Sequence, residues 1–453
     1  MKHQLDWSSY ETAGQGDAYA GIPATGGDFA KAVAVCISDR LCQRKPKGVM
    51  CPSFRVTDDA GHSPGGRVLA LKAALNSEYG PAPFADPRLV AAMDLCVGCK
   101  GCKRECANQV DMAAIKIEWQ AQRNAMTGVS PRDRLFANLP RWLAHPRLLR
   151  TLVRVRNRVP AVARLLELRL GISARRTLPE PVVRPYLAPA EPQPADGAHA
   201  TASEARRVVL FVDTFARHFD PDIAAAAHAV LTRAGYRVHV LEPAANDPEP
   251  GRALCCGRTW LSLGQVDAAR REALRMQAAL RPALADGTPV VGLEPSCILS
   301  LRDDHLKLGL GAEAEALAKQ VYLFEEFIAR EHDRKRLTLA LKPVGGGKTL
   351  VHGHCHQKAV GAMKSLRKVL RLIPDFEFEF VEASCCGMAG SFGLDAEHAD
   401  ISMRMAEADL LPALRAAPDA PLLANGFSCR HQIVEGVARR PAHVAQLMRD
   451  ALA

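Results

Sequence analysis

Fourteen cysteines carry most of the chemistry open to this chain of 453 residues, and they fall in tight groups and adjacent pairs. The most specific group is Cys96-x2-Cys99-x2-Cys102-x3-Cys106. Spacers of two residues let one short loop wrap three thiolates around a single [4Fe-4S] cluster. Neither chance nor a disulfide framework accounts well for that spacing.

Where two such clusters share one domain, the fourth cysteine of the run serves the other cluster, so a second cysteine group is required. Cys36, Cys42 and Cys51-Pro52 lie upstream and supply it. On this pattern Cys51 completes the set of Cys96, Cys99 and Cys102, while Cys106 crosses to Cys36 and Cys42. There are departures: Ala107 follows Cys106 where proline is usual, and C-x5-C-x8-C is one cysteine short. One cluster is expected here. The second site is a three-cysteine site with another fourth ligand such as His62, a three-iron cluster, or empty.

The second signal is a pair of Cys-Cys-Gly elements, Cys255-Cys256-Gly257 and Cys385-Cys386-Gly387. Adjacent thiolates do not both face one small ion, but they bridge the irons of a larger cluster, with glycine permitting close backbone approach. Cys355, Cys385, Cys386 and Cys429 form a set of four; Cys255, Cys256 and Cys297 form a set of three, with Asp213 or Thr214 where a leading cysteine would stand. One cluster is therefore expected at or near the second set. The competing reading is redox-active dithiols or buried structural cysteines. His352, His354 and His356 flank Cys355 and are candidate cluster neighbours or proton carriers. Glu294 reads as a carboxylate that tunes a nearby cluster or as an ordinary strand-end carboxylate, the second being preferred. Gly345 to Thr349 ends like a phosphate loop, but Lys342 stands where its first glycine belongs, so it is read as a hinge.

These residues need elements to hold them. Before the Pro- and Ala-rich stretch 177-205, cysteines sit in loops between helical segments such as Asp111 to Arg123. After it, apolar runs (Val208 to Val212, Arg237 to Leu241, Pro289 to Leu293) alternate with alanine-rich helical runs (Ile223 to Ala234, Asp267 to Leu280), which argues largely parallel sheets. The order strand, Cys-Cys-Gly, Cys occurs twice. The expected fold is α+β overall: a mostly helical, ferredoxin-like iron-sulfur domain with a basic helical extension (1-176), a linker (177-205), and two pseudo-repeated α/β lobes, 206-342 and 349-453.

Composition narrows the setting. The start of the chain shows no secretory pattern and no segment is long and apolar enough to span a bilayer, so the cysteines are read as thiolate ligands in a reducing, cytoplasmic compartment. Formal charge is +10, and twelve arginines between Arg132 and Arg176 face only Asp133 and Glu167. That stripe suits an acidic partner or an anionic membrane surface; without aromatics or a nucleic-acid motif, no nucleic acid is expected.

With these residues in hand, the chain resembles the cysteine-rich (CCG) domain proteins, among them the CCG-bearing chain of heterodisulfide reductase and the iron-sulfur subunits of glycolate oxidase and anaerobic glycerol-3-phosphate dehydrogenase. Gly48 to Phe54, His62-Ser63, Gly66-Arg67, Leu95 to Cys106, Leu210 to Phe215, Glu294 to Cys297 and Gly426 to Arg430 look most like the C-terminal iron-sulfur half of long FAD-linked D-2-hydroxy-acid oxidases. The resemblance implies an oxidoreductase subunit acting on CH-OH donors, with FAD only on a partner flavoprotein, since some thirty-five residues precede the first cysteine. Electrons would pass through [4Fe-4S] clusters, one or two in the N-terminal domain and one in the CCG region, to a quinone or other acceptor. No residue here is then a catalytic base, and segment 132-176 docks the flavoprotein or the inner membrane face. The alternative is a thiol/disulfide reductase subunit of the heterodisulfide type.

Overall fold

The computed structural model describes residues 2-17, 19-45, 48-189 and 206-453. The second half of the expected linker, 190-205, lies outside the described residues.

Short helices build the first part, and named strands begin only at Arg206. Proline at N1 and a capping side chain start several of them. Ser63 caps Pro64–Leu75, and Asp111 caps Met112–Thr127, whose Ile115 and Trp119 recur at helical spacing and are fully buried. Glu118 on the same helix accepts hydrogen bonds from Leu5 N (2.9 Å) and Trp7 Nε1 (3.1 Å), fastening the N-terminal segment across it. The arginine-rich stretch continues as helices Pro131–Ala137, Leu139–Trp142, Pro146–Arg158 and Pro160–Leu170. Among the described residues, no helix is long and apolar enough to cross a membrane.

The second part is α/β, with two small, wholly parallel sheets. The first holds β1 (Arg206–Phe211), β2 (Tyr236–Val240), β3 (Val290–Gly292) and β4 (Val321–Leu323) in the order β2-β1-β3-β4. The second holds β5 (Thr349–His352), β6 (Phe378–Phe380) and β7 (Leu422–Ala424) in the order β6-β5-β7. Thus β2-β1-β3 and β6-β5-β7 repeat one topology. β3, β7 and β1 from Val208 onward are buried without alternation, as expected for parallel strands covered on both faces. In each sheet the chain leaves the central strand first to one side and then to the other. That reversal opens a crevice at the C-terminal strand ends.

Three polar joints hold the helical part against both sheets. Lys100 Nζ lies 2.7 Å from Asp303 and 2.6 Å from Asp304, and Arg258 Nη1 donates to Asp304 at 2.8 Å. Lys103 adds contacts to Asp303 (2.6 Å) and Asp111 (3.0 Å). On the second sheet's side, His398 bridges Asp94 (2.7 Å) and Asp395 (3.1 Å) and stacks on Phe392 at 4.3 Å. Residues 177-189 also run against the body of the protein: Val182 N and Tyr186 N donate to His218 O (2.8 Å) and Arg217 O (2.9 Å).

Two stability tests follow from these joints. Asp304→Leu leaves Arg258 without its carboxylate and the buried Lys100 with Asp303 alone, and is expected to cost about 3 kcal/mol in denaturant unfolding; an unchanged midpoint would show the joint to be incidental. Although burial opposes its charged form, the Asp395 and Asp94 hydrogen bonds push the His398 pKa up to about 9. With an unfolded value near ~6.5, its stabilisation, roughly 2–3 kcal/mol, is complete below that pH and is lost as pH rises through about 9. The stability difference between the wild type and His398→Asn should shrink across that window.

Candidate iron-sulfur centres

Cys51, Cys96, Cys99 and Cys102 line one closed cavity together with Arg67 and Ser53. All four are buried and, like every cysteine of the chain, free of disulfides. Cys51 is the N-cap of Pro52–Thr57; Cys96 and Cys99 come from the loop entering helix Gly101–Glu105, and Cys102 from its first turn. Arg67 is wholly buried; its Nη1 donates to Cys51 Sγ at 3.3 Å, Nη2 to Ser53 Oγ at 2.7 Å and Nε to Ala92 O at 2.8 Å. Burial alone would raise the Cys51 thiol, but Arg67 and Ser53 bring it below its ordinary value. Cys99 and Cys102 stay well above theirs through burial and the neighbouring Cys51. A metal displaces such protons by supplying the missing positive charge.

Cys36, Cys42 and Cys106 line a second cavity of about 190 Å³ with Met50, Gly65 and Val110. His62 is outside this lining; its Nδ1 is 3.1 Å from Thr57 Oγ1, and its carbonyl faces Cys51 and Ser53. The crossing of Cys106 away from the other members of its run is thus present in the geometry.

The two Cys-Cys-Gly elements face a third cavity of about 220 Å³ between the sheets. Cys255, Cys256 and Cys297 reach it from beyond β2 and β3, Cys355, Cys385 and Cys386 from beyond β5 and β6, and Cys96 from the helical part; Ser428, beside Cys429, lines it beyond β7. Cys355, Cys385, Cys386 and Cys429 interact in series, and hydrogen bonds from Cys355 and Cys386, with Gly387 N–H at 3.4 Å, hold Cys385 well below the usual thiol range. Cys255, Cys256 and Cys297 form the smaller set. Asp213 does not extend it: Oδ1 accepts from Phe215 N (2.9 Å) and Ala216 N (3.0 Å), and Oδ2 from Glu294 N (3.2 Å). Gly387 sits at φ +84°, and a Cβ there would lie 2.2 Å from Ser402 O, so the tight passage after the paired cysteines needs glycine.

The three cavities adjoin. Cys96, Val97 and Gly98 line both the first and the third. Burial, then Cys51 and Cys385, raise the Cys99 thiol, and burial, with smaller effects of Cys36 and Cys51, raises that of Cys42. Three histidines surround this junction. His352 ends β5 and is buried with neither ring nitrogen hydrogen-bonded. A turn follows, and His354 caps the next helix through Nδ1, which accepts from His356 N at 3.1 Å. His356 Nε2 reaches Gly98 O at 3.0 Å and Arg258 at 3.5 Å, tying the Cys96–Cys102 loop to both sheets. Glu294 is more than a strand-end carboxylate. It is buried between the sheets and accepts from Phe427 N (2.7 Å) and Ser296 Oγ (2.9 Å); burial and Asp213 push its pKa up to about 7. Arg67 enters the sequence reading only within the resemblance, without a role, and Arg258 not at all, because nothing in their spacing separates them from surface arginines.

Buried, disulfide-free thiols converging in sets of three and four are a donor set that fits iron-sulfur clusters. A subunit of the anaerobic glycerol-3-phosphate dehydrogenase of Escherichia coli is 27% identical over 297 residues, 64% of this chain and 70% of that one. D-2-hydroxyglutarate dehydrogenase of Pseudomonas putida is 25% identical over 466 residues, and lactate utilization protein A of Bacillus velezensis is 28% identical over 211. The chain is a homologue of these proteins, which is consistent with the CCG-domain iron-sulfur proteins. It aligns over 93% of its own length with the Pseudomonas dehydrogenase but over only 43% of that enzyme, and over 44% of itself with 79% of the Bacillus protein. No family model and no solved structure matches it.

Arg67 offers a test of the first cavity. Arg67→Gln removes a charge-assisted hydrogen bond to Cys51. At about 1.5–3 kcal/mol, that loss is expected to lower a one-electron potential by ~60–130 mV in a redox titration. An unaltered potential would mean that Arg67 only fills space.

Proposed function

We propose that this chain is the iron-sulfur electron-transfer subunit of a flavin-dependent dehydrogenase acting on a 2-hydroxy acid or glycerol 3-phosphate. The observation that carries the reading is the adjacency of the cysteine sets: Cys96 lines both the cavity of Cys51, Cys99 and Cys102 and the cavity of Cys355, Cys385 and Cys386. When bound, the clusters would carry single electrons. The role of the protein is then to hold thiolates at fixed separations, exclude water and offset charge with Arg67. The names of the relatives, dehydrogenases or a dehydrogenase subunit, support an oxidoreductase role and a multi-chain complex. An FAD-bearing partner would take the hydride and a quinone would take the electrons.

The acceptor reading is supported by an unusual surface. Leu148, Leu152, Val155 and Val159 repeat at helical spacing, yet they are 60%, 58%, 44% and 41% exposed. The helix instead turns Arg156 inward, where it donates to Ser173 O and Arg176 O. Leu165 and Leu168 extend the apolar face, and among the described residues Arg147, Arg158, Arg164 and Arg169 make no ion pair. An outward apolar stripe flanked by arginines suits the headgroup region of an anionic bilayer, where the quinone pool lies.

Two experiments test these readings. After anaerobic purification, mixing with the cognate flavoprotein and a 2-hydroxy acid or glycerol 3-phosphate should produce EPR signals of reduced clusters. An iron-free protein with redox-active thiols would contradict the relay. The chain should sediment with phosphatidylglycerol-containing vesicles but not with phosphatidylcholine vesicles, and Leu148→Ser/Leu152→Ser should weaken that binding at least tenfold, as expected for removing two buried leucines. Equal binding by the variant would dismiss the membrane contact.

A further inference from the structure

The second cavity holds three cysteines where a four-iron cluster takes four ligands, and Asp39 shares its lining. The loop that contains Asp39 copies the ligand loop of the first cavity. Aligned on their outer cysteines, Cys36-x2-Asp39-x2-Cys42 and Cys96-x2-Cys99-x2-Cys102 have the same spacing, with a carboxylate in the central place.

The backbone repeats the correspondence residue by residue. Gly98 and Lys100, on either side of Cys99, have φ of +58° and +60°; Ser38 and Arg40, on either side of Asp39, have +60° and +56°. Three of these four are not glycine, and two left-handed residues around one central residue are rare in an ordinary loop. Such strain is retained where the local geometry has a task. Each loop then enters a short helix through the second left-handed residue: Lys100 before Gly101–Glu105, and Arg40 before Leu41–Gln43. In both cases the central residue, Cys99 or Asp39, lines the cavity that its outer cysteines line. Asp39 lines the same cavity of about 190 Å³ as Cys36, Cys42 and Cys106. Leu41 N–H donates to its Oδ1 at 3.0 Å, an outer hydrogen bond of the kind that orients a ligating carboxylate.

We infer that Asp39 is the fourth ligand of a second four-iron cluster held by Cys36, Cys42 and Cys106. The inference rests on the iron-sulfur assignment of this domain and adds one ligand to it. The consequence is an iron unlike the other three. A carboxylate oxygen is a harder donor than thiolate and binds iron of a sulfide cluster less firmly. Asp39 is also exposed, whereas Cys99 in the equivalent place is buried. The iron at Asp39 is therefore the labile corner. One-electron oxidation releases it as Fe²⁺, converting a [4Fe-4S]²⁺ core to [3Fe-4S]⁺, with the electron taken by the added oxidant.

Iron counting and EPR of the anaerobically purified full chain test this with ferricyanide as the oxidant. The wild type should lose one iron per chain and gain the three-iron signal. Asp39→Cys should keep its iron under the same treatment, and Asp39→Ala should carry the three-iron signal as purified, one iron short. Asp39→Ala with wild-type iron content and an unchanged four-iron spectrum would overturn the assignment. So would a wild type that keeps all its iron while Asp39→Cys behaves identically. Cys99→Ser is the companion control: it alters the signals of the first cavity and leaves the ferricyanide response. Loss of every cluster signal in the wild type itself would instead overturn the iron-sulfur reading.

Discussion

Gathering several thiolates inside a protein places like charges in a medium that screens them poorly, and everything else in this structure answers to that constraint. Without compensation the thiols stay protonated. Cys99, Cys102, Cys355 and Cys386 are all driven well above the usual thiol range by burial and by one another. The compensation comes from a few buried donors: Arg67 at Cys51 and the Gly387 amide at Cys385. Lys358 stands nearby with its ammonium on Ala383 O and Ser384 O. Iron would provide the remainder.

The same constraint explains the architecture around the cysteines. Parallel sheets with a reversal of strand order leave an open crevice at one end; the Cys-Cys-Gly elements follow the edge strands β2 and β6, while the fully buried strands β3 and β7 lead to Cys297 and Cys429. The helical domain then has to be seated with its ligand loop against that crevice. Lys100 with Asp303 and Asp304 does so on one side, and His356 with Gly98 O does so at the junction itself. Because electron passage depends steeply on separation, these joints matter to function as well as to stability.

What can be read from the sequence is what depends on spacing along the chain. The Cys96 run, the upstream partners and the alternation of strands and helices after residue 206 are all legible because a loop or a strand has a fixed period. The crossing of Cys51 and Cys106 follows from one general rule about paired clusters. What depends on folding in three dimensions is not legible. Arg67 looks like any helical arginine until Ala92, Cys51 and Ser53 close around it. Glu294 looks like a strand-end acid because its partner Phe427 lies far away in the chain. Asp39 escapes for a different reason: a missing cluster ligand is sought among cysteines and histidines, and the mirrored left-handed residues that mark its place are backbone features. His62, the candidate that spacing suggests instead, is held by Thr57.

The central claim is that separate sets of cysteines from the helical domain and the second sheet hold iron side by side. Anomalous diffraction at the iron absorption edge, on crystals grown anaerobically, tests it most directly. The account predicts iron peaks within the cavities bounded by Cys51, Cys96, Cys99 and Cys102 and by Cys355, Cys385, Cys386 and Cys429. A structure with these cysteines in disulfides, or with iron in only one of the two cavities, would contradict it.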